Sequence, residues 1–197
     1  MLNRLRAIVR VAVVTSSIAV LAATMAAAAT LDDAGLHEEP WIHETFKDLR
    51  EDLADANTAG KRLLILVEQR GCIYCKQMHE EVFSQPDIAA SLTDDYYVIR
   101  LNMFGDVEVT DFDGTALPEK DMVMRWGVMF TPTMMFMPEE VPQDTTAAKA
   151  SVATMPGAFK EGTTRALLTW VKEKHYESGQ NFQKFVAEQV NPDAPAQ

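Results

Sequence analysis

Two cysteines, Cys72 and Cys75, are the residues of this sequence whose type and spacing point most directly to chemistry. They are the only cysteines in the chain, and the two residues between them place both sulfur atoms near one turn of helix, close enough to bond. An apolar run over 63–67 precedes them, and a helical pattern follows them. A buried strand, a short polar turn over 68–71 and a Cys-x-x-Cys pair at a helix start together predict a thiol–disulfide redox site.

The position at a helix start predicts different roles for the two cysteines. Unpaired N–H groups and the helix dipole favour negative charge there, so we expect the pKa of the Cys72 thiol to be lowered and more of it to be thiolate at neutral pH. The thiolate attacks a disulfide and forms a mixed disulfide. We expect Cys75 to be more buried and to resolve that intermediate. The alternative is a structural disulfide without redox activity, although a disulfide that closes so short a loop constrains the unfolded chain only weakly.

The first 28 residues predict a secretory leader. Three arginines within the first ten residues precede an uncharged run over 11–29 that ends in a row of alanines, which suits cleavage after Ala28 or Ala29. The alternative is an uncleaved membrane anchor. We expect a periplasmic protein without stable membrane insertion after cleavage. That compartment is oxidising, so two lone cysteines there are expected to pair.

The residues after the leader, 29–197, are expected to form one domain with a core over about 61–174. Without the three arginines of the leader, this part carries 15 basic residues against 29 acidic ones, a net charge of −14. So acidic a body argues against nucleic acid and anionic membrane surfaces as partners.

Hydrophobic spacing predicts alternating helices and strands around the cysteine pair. A loosely docked or mobile lead-in over 31–39 is expected to precede an amphipathic helix that begins at Pro40 and ends before Gly60. The cysteine helix should run to about Val82. The pattern then predicts a short helix over 87–92, a strand over 96–103, a hairpin at Asp113-Gly114, a helix over 119–126, a strand in the second half of 127–137, a last strand over 151–155, and helices over 163–176 and near 182–189.

Three stretches make the chain resemble the thioredoxin-fold proteins: LLILVEQRGCIYCK at 63–76, GVMFTPTMMFM at 127–137 and MPGAFKEGTTRALLTWV at 155–171. The resemblance implies an α/β thioredoxin fold in which helices flank a central mixed β-sheet. The expected fold also includes an N-terminal helix, an insertion before the proline strand and a C-terminal helical extension. It also implies that Thr131 and Pro132 form the platform on which a substrate backbone pairs, with Pro132 in the cis form. An ordinary trans proline at a strand start is the alternative.

More narrowly, the chain is similar to the periplasmic thioredoxins of sulfur-oxidation gene clusters, the SoxW type. The similar features are the leader, the Gly-Cys-x-Tyr-Cys-Lys site, the MHEEVF continuation at 78–83 and VTDFDG at 109–114. The resemblance implies a reductase of protein disulfides that uses the Cys72–Cys75 dithiol and no other cofactor. A membrane thiol transporter would supply the electrons, and a periplasmic sulfur-carrier protein would be one substrate. A disulfide oxidase or isomerase of the same compartment is the alternative.

The sequence departs from thioredoxin proper at several places, beginning with Gly71 in place of the tryptophan before the first cysteine. Ile73 and Tyr74 replace the Gly-Pro between the cysteines, so thioredoxin's reduction potential does not transfer. Leu66 stands where thioredoxin has its buried aspartate, six residues before the first cysteine. Glu68 is then the candidate for proton transfer with the second cysteine, directly or through water, and its alternative is a solvated turn carboxylate. Arg100 aligns with the family's strand lysine and is expected either to pair with Glu68 or to lie at a surface.

A metal site is the other hypothesis that the residues permit. Cys72, Cys75 and His79, with six methionines between positions 122 and 137, offer ligands that suit Cu(I). However, methionines in an apolar strand are ordinary core residues, and a structural zinc site has four protein ligands. His79 is expected on the solvated surface of its helix. We therefore predict no metal site, and we rank a redox enzyme above a copper-handling protein or a binding module that only shares the fold.

Overall fold

The computed structural model describes residues 30–190, so the predicted leader lies outside the described residues. Within this range, no helix combines the length and the apolar character that crossing a membrane requires. The elements follow one another as β1 (Thr30–Leu31), β2 (His37–Glu38), β3 (Ile42–His43), α1 (Leu49–Thr58), β4 (Arg62–Glu68), α2 (Ile73–Gln77), α3 (Pro86–Asp94), β5 (Tyr96–Asn102), β6 (Glu108–Thr110), β7 (Ala116–Pro118), α4 (Glu119–Arg125), β8 (Thr133–Phe136), α5 (Ala147–Ala150), β9 (Ala153–Pro156), α6 (Glu161–Lys172) and α7 (Phe182–Val190). A π-helical turn, Met78–Phe83, continues α2.

A mixed five-stranded sheet forms the centre of the described fold, in the order β3-β5-β4-β8-β9. The central strand β4 pairs in parallel with β5 and antiparallel with β8. Its residues from Leu63 to Glu68 are all buried, as expected for a strand that is covered on both faces. The expected thioredoxin fold, a mixed sheet flanked by helices, is confirmed.

Alternate residues of β4 point into two separate cores, because successive side chains of a strand face opposite sides of the sheet. Leu63, Ile65 and Val67 pack with residues of α1, α4 and α5. Leu64 and Leu66 pack with residues of the π-helical turn, α3, α6 and α7. Glu68, two positions after Leu66, therefore faces the side of the sheet on which the cysteine helix lies.

The segment before α1 differs from its prediction. The helix begins at Leu49 instead of Pro40, because the Asp48 side chain accepts hydrogen bonds from the N–H groups of Arg50 and Glu51 and so caps the helix there. Residues 42–43 instead form β3, which pairs in parallel with β5 at the edge of the sheet. The apolar residues of the short strand and of the helix together have the spacing of a single helix, so the sequence predicted one helix there.

The lead-in over 31–39 was wrongly expected to be loosely docked. It contains the antiparallel pair β1–β2, and the apolar side chains of Leu36 and Trp41 are buried at 4% and 5% exposure. Arg100 of β5 holds this segment, since its guanidinium donates to the carbonyl oxygen of His37 and, at 2.6 Å, to Asp32 Oδ2. Within the described residues, the lead-in is therefore part of the packed fold and lies beside the cysteine helix.

Most elements after β5 lie close to the positions that the sequence predicts for them. The hairpin at Asp113-Gly114 is confirmed as the antiparallel pair β6–β7, and it lies with α4 in the insertion before β8. Buried Asp111 ties this insertion together, accepting from Arg125, from the indole N–H of Trp126 and from the N–H of Ala147. At the C-terminal end, α7 packs against α6 in the expected helical extension.

Candidate active site

The two cysteines form a disulfide at the start of α2, with their Cα atoms 5.2 Å apart. Cys72 is the N-cap of the helix, and its Sγ accepts a hydrogen bond from the backbone N–H of Cys75 at 3.0 Å. The two differ in burial, because Cys72 keeps 7% of its surface exposed whereas Cys75 is fully enclosed. Of the two cysteines, only Cys72 therefore keeps surface in contact with solvent. The structure thus shows the unequal burial that the sequence led us to expect.

Thr131 lies directly beside the reachable sulfur. Strand β8 runs antiparallel to β4 with Thr133 opposite Val67, so the start of β8 meets the end of β4, just before the cysteines. The Thr131 hydroxyl donates to Cys72 Sγ at 3.3 Å, and the Thr131 carbonyl oxygen lies 3.5 Å from the same sulfur. The Thr131–Pro132 peptide bond is cis. The residues predicted as a substrate platform therefore face Cys72 across the sheet end.

Exposed apolar side chains flank this sulfur on both sides. Ile73 and Tyr74 follow Cys72, and Met129 and Phe130 precede Thr131; each of the four exposes more than half of its surface. An open groove of about 690 Å³ runs beside them. Its lining includes Tyr74, Val82, Phe130, Thr131, Phe159 and Lys160. Such a surface suits an extended segment of another protein that carries a disulfide to Cys72.

Glu68, at the end of β4, and His79, four residues after Cys75, form a buried pair. Glu68 is fully enclosed, and its Oε1 lies 2.9 Å from Nε2 of His79, which is only 2% exposed. The other ring nitrogen of His79, Nδ1, lies 2.9 Å from Oε1 of Glu39 in the lead-in. The alternative in which Glu68 is a solvated carboxylate is wrong. The expectation that His79 lies on the solvated surface of its helix is also wrong. Arg100 does not pair with Glu68, because Asp32 and the His37 carbonyl take its donors.

The surroundings of His79 shift the pKa of its ring. Burial by itself lowers the pKa of His79, but the hydrogen bonds to Glu39 and Glu68 and their negative charges outweigh burial, so the pKa is raised above its ordinary value. The ring of His37 stacks on that of His79, with centroids 4.3 Å apart. Burial and the neighbouring His79 lower the pKa of His37. The surroundings therefore shift the pKa values of the two histidines in opposite directions, upwards for His79 and downwards for His37.

Comparison with known proteins agrees with this geometry. Residues 49–143 match the family model described as a thioredoxin-like domain. A thioredoxin-fold protein from Helicobacter pylori is similar with a TM-score of 0.55 at 12% identity, over 68% of this chain and 87% of that one. A thioredoxin from Thermus thermophilus gives a TM-score of 0.49 at 23% identity, over 68% and 90% of the two chains. No curated relative matches the sequence.

The match of residues 49–143 to a thioredoxin-like domain and the Cys72–Cys75 disulfide together support thiol–disulfide oxidoreductase activity. The reacting group belongs to the chain itself, since a cysteine pair carries both electrons between its dithiol and disulfide forms. Substrates of such a site are disulfides of other proteins.

Sequence reasoning missed two residues of this thioredoxin-like site, Glu39 and His37. Both lie in the lead-in, more than 30 residues before the cysteines, and nothing in their local pattern marks them. A signal for His79 was present, because it follows buried Cys75 by four residues and so lies on the same helix face. The apolar Trp41 also signalled that the lead-in packs against the domain, since a large aromatic side chain gains much free energy from burial.

The side chains that lie close enough to hold a metal ion are not the set that the sequence suggested. The cysteines bond to each other, and the grouped side chains are His37, Glu68 and His79, whose donor atoms lie within 4.8 Å of one another. Both ring nitrogens of His79 already contact carboxylates. The rings of His37 and His79 are nearly parallel, at 14°, so their in-plane lone pairs do not converge on one ion. The geometry favours a hydrogen-bonded group over a metal site.

Proposed function

We propose that this protein is a reductase of protein disulfides that works in the periplasm. The observation that carries the proposal is the unequal burial of the two cysteines, since Cys72, beside Thr131, keeps 7% of its surface exposed and Cys75 keeps none. An attacking sulfur must meet a substrate from outside. A resolving sulfur needs to reach only its neighbour, and enclosure protects it from other reactions.

The reaction passes through one mixed disulfide. The Cys72 thiolate attacks a sulfur of the substrate disulfide, which breaks that bond and releases one substrate thiolate, which takes up a proton. Cys75 then loses its proton, and its electron pair forms the Cys72–Cys75 bond while the mixed disulfide breaks. The second substrate sulfur leaves with the electrons of the broken bond. Two electrons pass to the substrate, and the enzyme ends in the disulfide form that the structure describes.

The direction of electron flow and the partners are proposed from the resemblance to SoxW-type proteins. An exported dithiol enzyme meets an oxidising compartment, so it needs a donor that renews its reduced form. We propose a membrane thiol transporter as that donor and a periplasmic sulfur-carrier protein with a reactive cysteine as one substrate, in a sulfur-oxidation pathway. The predicted leader, with its basic start and alanine-rich end, supports export.

The reduction potential of the cysteine couple tests the proposed direction. The mature protein is equilibrated in graded thiol/disulfide buffers, and the fraction of disulfide is measured after acid trapping. A potential near that of thioredoxin, about −270 mV, supports a reductase that a membrane donor keeps reduced. A potential near about −120 mV belongs to a strong oxidant and would overturn the reductase proposal.

Serine variants test the assignment of the two sulfurs. We expect Cys72→Ser to abolish reduction of insulin disulfides, because the attacking thiolate is lost. We expect Cys75→Ser to accumulate mixed disulfides with substrate, visible as covalent adducts on gels without reducing agent. Full turnover by Cys72→Ser, or adducts formed through Cys75 in that variant, would contradict the proposed order of attack.

A further inference from the structure

Groups from the N-terminal part of the described chain surround the side chain of His79. The rings of His37 and Trp41 both lie nearly parallel to the His79 ring, with centroids 4.3 Å and 6.1 Å away. Oε1 of Glu39 lies 2.9 Å from Nδ1 of the same ring. His37 and Glu39 belong to the lead-in, and Trp41 follows it by two residues. His79 itself lies in the π-helical turn that continues the cysteine helix, so three contacts between this segment and that helix converge on one ring.

A second carboxylate bonds the other nitrogen of the His79 ring. Its Nε2 lies 2.9 Å from Oε1 of Glu68, and both of these side chains are fully enclosed, whereas the Glu39 side chain keeps 20% of its surface exposed. An ionised carboxylate only accepts hydrogen bonds, so a ring that bonds one through each nitrogen needs an N–H at both, and only the imidazolium form has two. Protonated His79 thus links the lead-in to the end of β4 through two hydrogen bonds.

The titratable groups that face His79 are Glu39, Glu68 and the stacked ring of His37. Burial lowers the pKa of His79, but the hydrogen bonds to the two glutamates and their charges outweigh burial, so this pKa is raised. The pKa of His37 is lowered by burial and by His79, although nearby glutamates, Glu80 among them, act against this. Undocking of the lead-in would bring the His79 ring into water, where a histidine has a pKa of about 6.5. The docked lead-in therefore holds the His79 proton more tightly than the undocked one would.

We propose that His79 is a pH-sensitive fastener: its imidazolium holds the lead-in against the cysteine helix, and loss of the ring proton releases the lead-in. After that loss, one ring nitrogen presents a lone pair to a carboxylate, and two carboxylates remain in an enclosed place without a cation. Opening lets water solvate both carboxylates, so the balance shifts towards the open form. Histidine suits such a switch because its charge changes near neutral pH. The fastener goes beyond disulfide reduction and does not rest on the direction of electron flow.

Release of the lead-in would change the surface beside the disulfide. A side-chain carbon placed on Gly35 of the lead-in would lie 2.8 Å from Nε of Arg70, which belongs to the turn that leads to Cys72. The lead-in also forms one wall of an open cleft of about 790 Å³, whose opposite wall includes the loop after β5. A protein that approaches Cys72 from this side therefore meets a different surface when the lead-in is docked and when it is released.

Hydrogen exchange of the wild-type amides over 32–43 tests the fastener over a range from about pH 5 to 9, on both sides of the ordinary histidine pKa. The readout is the protection factor, the ratio of the intrinsic exchange rate to the measured rate, which removes the direct effect of pH on exchange. Opening that releases one proton grows about tenfold per pH unit between the pKa of the open form and the raised pKa of the closed form. We expect protection to be constant below about pH 6.5, to fall about tenfold per unit above it, and to level off beyond the raised pKa. Protection that stays constant over the whole range would overturn the proposal.

His79→Gln tests whether this ring carries the titration. Glutamine is polar and of similar size but does not titrate, so we expect protection that is independent of pH and about tenfold below that of the wild type near pH 6. His43→Gln is the matched control, because His43 lies in the same segment, in β3, and stacks on Tyr97 with centroids 3.9 Å apart. It should keep the wild-type slope. A slope that persists in His79→Gln, or one that disappears in His43→Gln, would overturn the proposal.

A measurement on the unaltered protein covers the case in which His79→Gln does not fold. The nitrogen-15 shifts of the His79 ring report whether one or both nitrogens are protonated, and they give the midpoint of its titration. We expect both nitrogens to be protonated near pH 6, and the midpoint to coincide with the pH at which protection levels off. A singly protonated ring near pH 6, or a midpoint at or below about 6.5, would overturn the fastener. Neither measurement uses turnover, so a failure of the reductase proposal would leave both results unaffected.

Discussion

The hydroxyl of Thr131 donates a hydrogen bond to Cys72 Sγ at 3.3 Å, although 59 residues separate the two in the chain. A hydrogen bond to the charged form of a group favours that form. In the proposed mechanism, Thr131 therefore acts on the attacking sulfur and also offers its backbone beside the groove. In the dithiol enzyme, this hydroxyl is placed to stabilise the Cys72 thiolate.

We expect Thr131→Val to raise the pKa of the Cys72 thiol by about one unit, since a hydrogen bond to a charged group contributes about 1.5–3 kcal/mol and water replaces part of it. Valine keeps the shape of threonine, so the fold should survive. The pH dependence of iodoacetamide alkylation measures the shift. Thr154→Val, at an exposed position of β9, is the control and should leave the alkylation profile in place. If Thr131→Val and Thr154→Val gave the same alkylation profile, the Thr131 hydroxyl would have no effect on the reactivity of Cys72.

Asp52 makes stability depend on pH. Its carboxyl is buried at 2% exposure in α1, and burial, with Asp48, Asp55 and Glu51 nearby, raises its pKa from 3.8 to about 6 despite a hydrogen bond from Thr45. The folded state therefore binds this proton more tightly than the unfolded chain does. Ionised Asp52 destabilises the fold above pH 6, and this penalty disappears as the pH falls towards 3.8.

We expect Asp52→Asn to stabilise the protein at pH 7 to 8 by up to about 3 kcal/mol, from two pKa units at 1.36 kcal/mol each. The gain should shrink as the pH falls towards 4. Urea unfolding at several pH values measures this difference. Asp55→Asn, which changes an exposed carboxylate on the same helix, should give a much smaller gain at every pH. A gain for Asp52→Asn that did not vary with pH would contradict the titration account.

Arg100 anchors the lead-in that supplies Glu39. We expect Arg100→Met to cost about 2 kcal/mol, because it leaves the His37 carbonyl and Asp32 without their charged donor while keeping the apolar stem. Hydrogen exchange of the amides over 32–43 should become faster. Lys120→Met breaks an exposed ion pair with Asp106 and should leave those amides unchanged. Unaltered exchange in Arg100→Met would mean that Trp41 and Leu36 hold the segment by packing alone.

Asp111 holds the insertion before β8 together. It is buried at 1% exposure and accepts from Arg125, Trp126 and two backbone N–H groups. We expect Asp111→Ala to cost about 3–5 kcal/mol, because it leaves the Trp126 indole N–H and two backbone N–H groups without an acceptor at about 1–3 kcal/mol each, whereas Arg125 keeps its pair with Asp113. Asp111→Asn keeps one acceptor and should cost less. Urea unfolding tests this order, and an alanine variant as stable as the asparagine variant would reverse it.

The sequence by itself determined the local parts of this protein. The apolar run of β4, the turn and the cysteine pair are neighbours in the chain, so their pattern was enough to predict a redox site in which the second cysteine is more buried than the first. The hairpin at Asp113-Gly114 and the late strands and helices are likewise set by turn residues and by the spacing of apolar side chains. These features depend on contacts between residues close together in sequence.

Only the tertiary structure decided which side chains meet at His79. Glu39 meets His79 across 40 residues, and this contact exists because Leu36 and Trp41 bury the lead-in and Arg100 holds it. The spacing of apolar residues around Pro40 fits a helix as well as it fits a strand followed by a capped helix, so periodicity could not choose. Charge on a buried histidine likewise depends on which carboxylates the fold brings to its ring. Local pattern predicts which face of an element is buried, but the partner on that face is chosen by the packing of distant segments.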